Sequence, residues 1–375
     1  MKVTFETAAF ADSIKQAALV APTSGSTFDK ANGIVLDLDA EVKNGWTVLV
    51  RSTNLDVFRM EWLNPESIEG PATRWRLPAN LFAKVVSSFP IGTGKQITIE
   101  DGRNGLQTYV KITSGRAQAK FNLIDHEYYP QWSIFDPSSL TEALDLGGKL
   151  QMVEWAADNG EPPFSGIHFD GERVLATDRY RMAVSPLEIP GLSEPITVPS
   201  GVLSQLLKAT GEIRLGVEGS QLLVMPDEGV QIRCVIFGNP YPSTKAIREA
   251  VYTHSITVKK APLLEIMQRA QSFGSTDRDS VLRCFIGLEE FAIRMANSEV
   301  GVIGDAMEIP GQALHERFEI KFTPKNIIDP LSHSPSEEVV LSYEVGKPDR
   351  LVRVDGGNGY YSWGQPRREQ RATGG

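Results

Sequence analysis

Behind three prolines of this chain, apolar residues recur at helical spacing. After Pro199 they stand at Val202, Leu203, Leu206 and Leu207; after Pro78 at Leu81, Phe82, Val85 and Val86; after Pro324 at Ile327, Ile328 and Leu331. Such offsets share one face of a 3.6-residue helix. Proline suits the first helical position, where its missing N–H has no intrahelical partner. The prolines lie 121 and 125 residues apart, which predicts three copies of one unit.

Alternating segments extend the unit on both sides. A strand follows each helix, at Ile97–Ile99, Ile213–Val217 and Val339–Tyr343. A strand and a further helix precede it: Val3–Phe5 with Phe10–Leu19, Leu144–Leu146 with Leu150–Ala157, and Ile256–Val258 with Leu263–Ala270. Between the helices lies a strand pair: Gly33–Leu36 with Trp46–Arg51, Gly166–Phe169 with Arg173–Ala176, and Cys284–Leu288 with Phe291–Met295. The pattern predicts an α+β chain of three domains, 1–137, 138–250 and 251–375, with a disordered basic tail from Arg367.

Composition changes this picture little. With 41% hydrophobic and 23% charged residues, the chain can bury three cores. No apolar run approaches the ~18 residues of a membrane span. Met1-Lys2 leads straight into a strand without an apolar leader, so a cytoplasmic protein is expected. Cys234 and Cys284 are expected to be buried thiols, and no pair of His or Cys sits at zinc-ligand spacing. Neither a cofactor nor a catalytic nucleophile–base pair is expected.

Charge adds one hint. The six predicted helices hold seven basic and four acidic residues, a net +3, which leaves −12 on the rest of a chain whose total is −9. Lys84 and Lys208 fall opposite the apolar stripes of their helices, while Lys325 only flanks its stripe. Asp125–Trp132 crowds His126, Tyr128, Tyr129 and Trp132 into one loop, expected to pack over a sheet edge. The sharpest local sequence is Arg173-Val-Leu-Ala-Thr-Asp-Arg-Tyr-Arg-Met-Ala-Val184, two strands meeting at a Thr-Asp turn. Asn239-Pro-Tyr-Pro242 is expected to be a rigid extended link.

Ala176-Thr-Asp-Arg-Tyr-Arg-Met182, followed by Ile196-Thr-Val-Pro199, resembles the bacterial-type DNA sliding clamp, the beta subunit of the replicative DNA polymerase. Arg116–Leu123 before Tyr129-Pro130, and Tyr241-Pro242, resemble that family too. The resemblance covers essentially the whole chain, mostly as pattern. It implies three repeated clamp domains, each two helices on antiparallel sheets, and a homodimeric ring that encircles duplex DNA and tethers polymerase and clamp loader. Those partners would attach by short apolar motifs of Gln-Leu-x-Leu-Phe type.

Carried over residue by residue, the resemblance places a peptide pocket at Phe164, Thr177, Arg179, Tyr180, Met182, Pro242 and Ile247. It places DNA contacts at Lys15, Lys84, Lys149, Lys208, Arg269 and Lys325, and a dimer interface at Phe121, Leu123 and Phe273. The family usually ends in an apolar Met-Pro-rich tail that walls the pocket. Here Tyr360-Tyr-Ser-Trp-Gly-Gln-Pro366 precedes a polar extension, which leaves Trp363 as the substitute wall and points to a divergent, phage-encoded version. Two alternatives stand beside the clamp: an enzyme on repeated α+β units with His168, Asp178 and Arg181 as its site, and an interaction scaffold that never encircles DNA.

Overall fold

The computed structural model describes residues 1–22, 31–38, 48–92, 94–144, 146–158, 160–189, 192–207, 212–274, 281–287, 289–297, 301–309 and 318–366. The tail from Arg367 and most of the loop 21–27 lie outside them. Helices are α1 (Thr7–Val20), α2 (Ala79–Ser87), α3 (Leu146–Glu154), α4 (Val202–Leu206), the single turn α5 (Lys245–Arg248), α6 (Lys260–Gly274) and α7 (Lys325–His333).

The element order repeats three times: strand, helix, a group of strands, helix, three strands. The first copy adds one short strand, Ser67–Glu69, and the second is followed by α5. The apolar stripes hold only in part. In α2, Phe82 and Val86 are buried as the periodicity predicts, together with Ala83, but Val85 is half-buried and Leu81, which the pattern places on the same stripe, is exposed like Lys84. In α7, Ile327, Ile328 and Leu331 are buried.

The prolines do not take the first helical position. Pro78 and Pro324 are N-caps, one residue earlier. Pro199 ends the strand Ile196–Pro199, and α4 starts only at Val202. Gly201 separates them at φ 83°, a left-handed conformation that glycine takes without Cβ strain. The predicted strand Leu144–Leu146 also shifts, to Thr141–Leu144, and Leu146 opens α3.

Strand pairing divides the chain into two compact units, Met1–Gly147 with Pro190–Leu192 and Gly201–Ile236, and Gly148–Ile189 with Ser193–Ser200 and Phe237–Gly375. The middle copy contributes four strands to each. In the first unit an eight-stranded antiparallel sheet joins copies one and two where Val57–Leu63 pairs with Val230–Val235. In the second, an eight-stranded sheet joins copies two and three where Arg181–Pro186 pairs with Tyr360–Gly364. A five-stranded sheet completes the first unit and a four-stranded sheet the second.

The first unit's core runs through four aromatic rings. Phe5 stacks on Phe10 at 4.7 Å, Phe10 meets Phe82 edge-on at 6.2 Å, and Phe82 meets Phe121 edge-on at 5.5 Å. Each ring comes from a different element, so this contact chain fixes two strands and both helices of the copy. Each ring buried at such a contact is worth about 1.5–3 kcal/mol. Loss of one leaves a cavity that both helices border. In the second unit α6 and α7 share one core, with Leu263, Met267 and Ala270 beside Ile327 and Leu331 over Cys284 and Ile293. Both thiols are fully buried and unpaired, and burial raises their pKa, to about 12 at Cys234. The aromatic loop meets the expectation only in part: Tyr129 is buried under Arg76 of a sheet-edge strand, but Trp132 lies against Phe58 of an inner strand, and His126 and Tyr128 are exposed.

Candidate peptide-binding site and nucleic-acid interface

The turn between Arg173–Thr177 and Arg181–Pro186 is locked by its own polar side chains. Asp178 accepts the backbone N–H of Tyr180 at 2.9 Å and of Arg181 at 2.6 Å. The Thr177 hydroxyl accepts the Arg179 N–H at 3.0 Å and donates to the Arg181 carbonyl at 2.6 Å. These bonds hold Arg179 at φ 76°, a left-handed conformation that costs a side-chain-bearing residue of order 1 kcal/mol.

The two arginines of the turn have different partners. Arg181 pairs with Asp178 at 2.8 Å and Asp329 of α7 at 2.5 Å, over the ring of Trp155. Arg179 pairs with Asp158 at 2.9 Å and covers the Phe164 ring at 4.9 Å. The proposed acid–base pair does not form. The Asp178 carboxylate is taken by the turn and by Arg181. The His168 ring bonds Thr197 at 2.9 Å and stacks on Tyr241 at 4.3 Å, and burial lowers its pKa. Among the described residues, no group of three His, Cys, Asp or Glu could hold a metal ion.

Strand alternation puts three of the pocket candidates, Thr177, Met182 and Trp363, on one sheet face. Cross-strand neighbours run Thr177, Met182, Trp363, Arg353, Ser342 in one row and Leu175, Val184, Tyr361 in the next. Leu175, Met182, Val184 and Trp363 form a buried apolar strip, with Tyr241, Ile247 and Tyr252 packed on it. The link 239–252 therefore lies across this face; beyond the predicted extended stretch Asn239–Pro242 it includes the helical turn α5, for which the sequence made no prediction.

The structure brings together Thr177, Met182, Ile247 and Trp363. Phe164, half-buried, joins through Tyr241 at 6.5 Å. Arg179, Tyr180 and Pro242 are exposed around them. Trp363 is a floor rather than a wall: it is 2% exposed directly beside Met182. The chain end closes a different space. Gln365 donates its N–H to the Tyr180 carbonyl, and a cleft of about 610 Å³ opens between Tyr180, Arg181, Lys325, Asn326, Gln365 and Pro366. Tyr241, Asp158 and Gln365 were not among the site residues the sequence suggested, although Tyr241-Pro242 belongs to the stretches that carry the resemblance. Only Tyr241 carried a signal, an aromatic between two prolines.

The helix cations divide by their partners. Lys15 on α1 and Lys84 on α2 are exposed and hold no ion pair among the described residues. Their helices pack against each other. Lys325 is exposed on α7, and Lys149 is half-buried on α3. Arg269 is already held by Asp305 at 2.5 Å and by Glu265 at 3.7 Å. Lys208 lies outside the described residues.

No family model matches the chain, and no curated protein matches it. Solved structures do. The DNA polymerase III beta subunit of Thermotoga maritima is 18% identical with a TM-score of 0.81, over 98% of this chain and 100% of that one. The DNA polymerase sliding clamp of Bacillus subtilis is 20% identical with a TM-score of 0.79, over 99% and 100%. The Helicobacter pylori beta clamp bound to a DNA ligase peptide is 14% identical with a TM-score of 0.75, over 98% and 100%. The fold is that of the sliding clamps.

Within this sliding-clamp fold, the interface candidates sit near sheet edges. Ala117–Asn122 is the terminal strand of the five-stranded sheet. Its Phe121, however, turns inward and is buried against Phe82. Leu123 is partly buried at the strand's end, and Phe273 is half-buried in the last turn of α6. Gly301–Glu308 is the terminal strand of the four-stranded sheet, and its residues are exposed or half-exposed throughout.

Proposed function

We propose that the chain is a DNA polymerase processivity factor. Two copies close into a ring around duplex DNA, slide along it, and tether polymerase and other replication factors through the face at Met182. Each copy divides into three clamp domains, 1–137, 138–250 and 251–375.

The observation that carries this reading is the order of strand pairing. At both seams, the third strand after a copy's first helix pairs with the last strand of the next copy: Val57–Leu63 with Val230–Val235, then Arg181–Pro186 with Tyr360–Gly364. Two strands are left without such a partner. They are the last strand of copy one, Ala117–Asn122, and the third strand of copy three, Gly301–Glu308, both at sheet edges. An open edge invites pairing. A second copy related by a two-fold axis offers each of these two edges its complement and closes a ring of six repeats.

Such a ring holds DNA topologically, so its phosphate contacts need only be few and weak. Lys15, Lys84 and Lys325 suit that role, on a protein whose net charge is −9. Arg269, neutralised by two carboxylates, suits it less. For the pocket, an apolar side chain of a partner peptide would gain about 1.5–3 kcal/mol beside Met182 and Ile247, enough for reversible attachment after ordering costs. The Helicobacter pylori clamp of the same fold is bound to a DNA ligase peptide.

Threading tests the ring without a loader. The protein is incubated with linear duplex DNA biotinylated at both ends, the ends are blocked with streptavidin, and the complex is washed at high salt. Retention on blocked DNA and loss from unblocked DNA is the expected result. Equal retention on both would refute encirclement.

A further inference from the structure

Beside the apolar strip at Met182, a cleft of about 500 Å³ opens in the same unit, with Val184, Tyr361 and Trp363 in its lining. Val184 and Trp363 belong to that strip, so the cleft continues the floor of the proposed peptide site. Three arginines converge on it: Arg173 from the strand Arg173–Thr177, Arg248 from α5, and Arg353 from the strand next to Trp363.

Their charges are not equally committed. Arg173 is taken by Asp170 at 3.2 Å and Glu172 at 2.8 Å. Among the described residues, Arg248 donates to the Thr244 hydroxyl at 3.1 Å, and Arg353 weakly to the Ser342 hydroxyl at 3.4 Å. Neither of these two holds an ion pair among the described residues. Glu249, also at the cleft, lies 3.9 Å from Lys245. The Arg353 guanidinium sits between the rings of Tyr252 and Tyr361, at 5.4 and 5.5 Å. A planar fork held in this way is oriented before any ligand arrives, which lowers the ordering cost of binding.

We propose that this cleft receives the carboxylate of an acidic residue on the same partner peptide whose apolar side chain lodges at Met182. The inference rests on the peptide-site reading and adds to it a preference for acidic flanks, read by Arg248 and Arg353. Charge selects the occupant. A surplus of one or two positive charges in so small a cleft suits one side chain rather than a duplex backbone, which needs a broad cationic surface. The chain's own end, with Arg367, Arg368 and Arg371 against one Glu369, has the wrong sign.

Fluorescence anisotropy with three synthetic peptides of Gln-Leu-x-Leu-Phe pattern tests it: one with Asn-Asn flanks, one with Asp-Asp before the motif, one with Asp-Asp after it. On the wild type, one acidic version should bind about tenfold tighter than the neutral one at low salt, and the preference should shrink as salt rises. Arg248→Gln should lose most of that preference and bind the neutral peptide as the wild type does. Arg353→Gln should do the same, and Arg248→Gln alone serves if the half-buried Arg353 proves necessary for folding.

Equal binding of all three peptides to the wild type overturns this inference alone. So does a preference that survives both variants, or one lost only in Arg179→Gln, which would place the carboxylate at the turn. Absence of binding by any of the three overturns the peptide site, and the acidic pocket with it.

Discussion

His168 shows how one half-buried side chain couples the candidate site to pH. Its ring lies between a hydroxyl partner and the Tyr241 ring, and burial depresses its pKa below the ordinary value. The folded state therefore favours the neutral ring, while the unfolded chain takes up a proton near pH 6.5. Stability from this group is complete above about pH 6.5 and is lost as pH falls below it. The thermal midpoint should drop between pH 7 and pH 5, and His168→Gln should drop less over that interval. The same fall in both proteins would assign the acid sensitivity to other groups. Thr177 and Met182 are site candidates through the family resemblance alone; the Thr-Asp turn and strand alternation predicted only that the two residues flank one turn, and they pair across it. The left-handed backbone of Arg179 was not legible, since only the closed turn imposes it.

At the scale of elements, the open edges make the sharper prediction. An edge strand keeps its N–H and C=O groups unpaired until another strand covers them. Ala117–Asn122 and Gly301–Glu308 have that position in their sheets; Leu123 follows the first strand and Phe273 stands half-buried in the last turn of α6, and the proposed dimer would cover both. Leu123→Asp combined with Phe273→Asp should move the protein from dimer to monomer in sedimentation velocity, by placing two carboxylates where apolar groups must desolvate. Circular dichroism would confirm an intact fold. A persisting dimer would place the contact elsewhere. Phe121 is unsuited to this test: its ring is in the core, and Phe121→Ala should cost about 3–5 kcal/mol of folding stability.

For the whole molecule, the distribution of charge matters more than its total. An acidic protein can hold DNA only where a few unpaired cations face it. Lys15 and Lys84 are exposed, without an ion pair among the described residues, on two helices that pack together, whereas Arg269 is held by Asp305. Lys15→Glu with Lys84→Glu should reduce the protein retained on end-blocked DNA severalfold at low salt, while the sedimentation coefficient stays unchanged. Arg269→Gln should have little effect. Unchanged retention in the double variant would remove α1 and α2 from the DNA-facing surface. The salt slope of the wild type should be shallow, because few phosphates are neutralised.

The sequence by itself determined the repeat. Apolar spacing behind Pro78, Pro199 and Pro324 marked the second helix of each copy, and alternation marked most strands, because both signals are local. It also located the Thr177–Met182 turn, whose polar side chains satisfy nearby backbone groups. Tertiary structure decided everything that depends on pairing between distant segments. No local pattern announces that Val57–Leu63 pairs with Val230–Val235, or that Arg181–Pro186 pairs with Tyr360–Gly364. Those pairings bring Trp363 beside Met182, leave two complementary edges open, and gather Arg248 and Arg353 at one cleft from segments a hundred residues apart. Hydrogen bonding between strands is nearly independent of side-chain identity, so register and partner are settled only when whole faces are buried together.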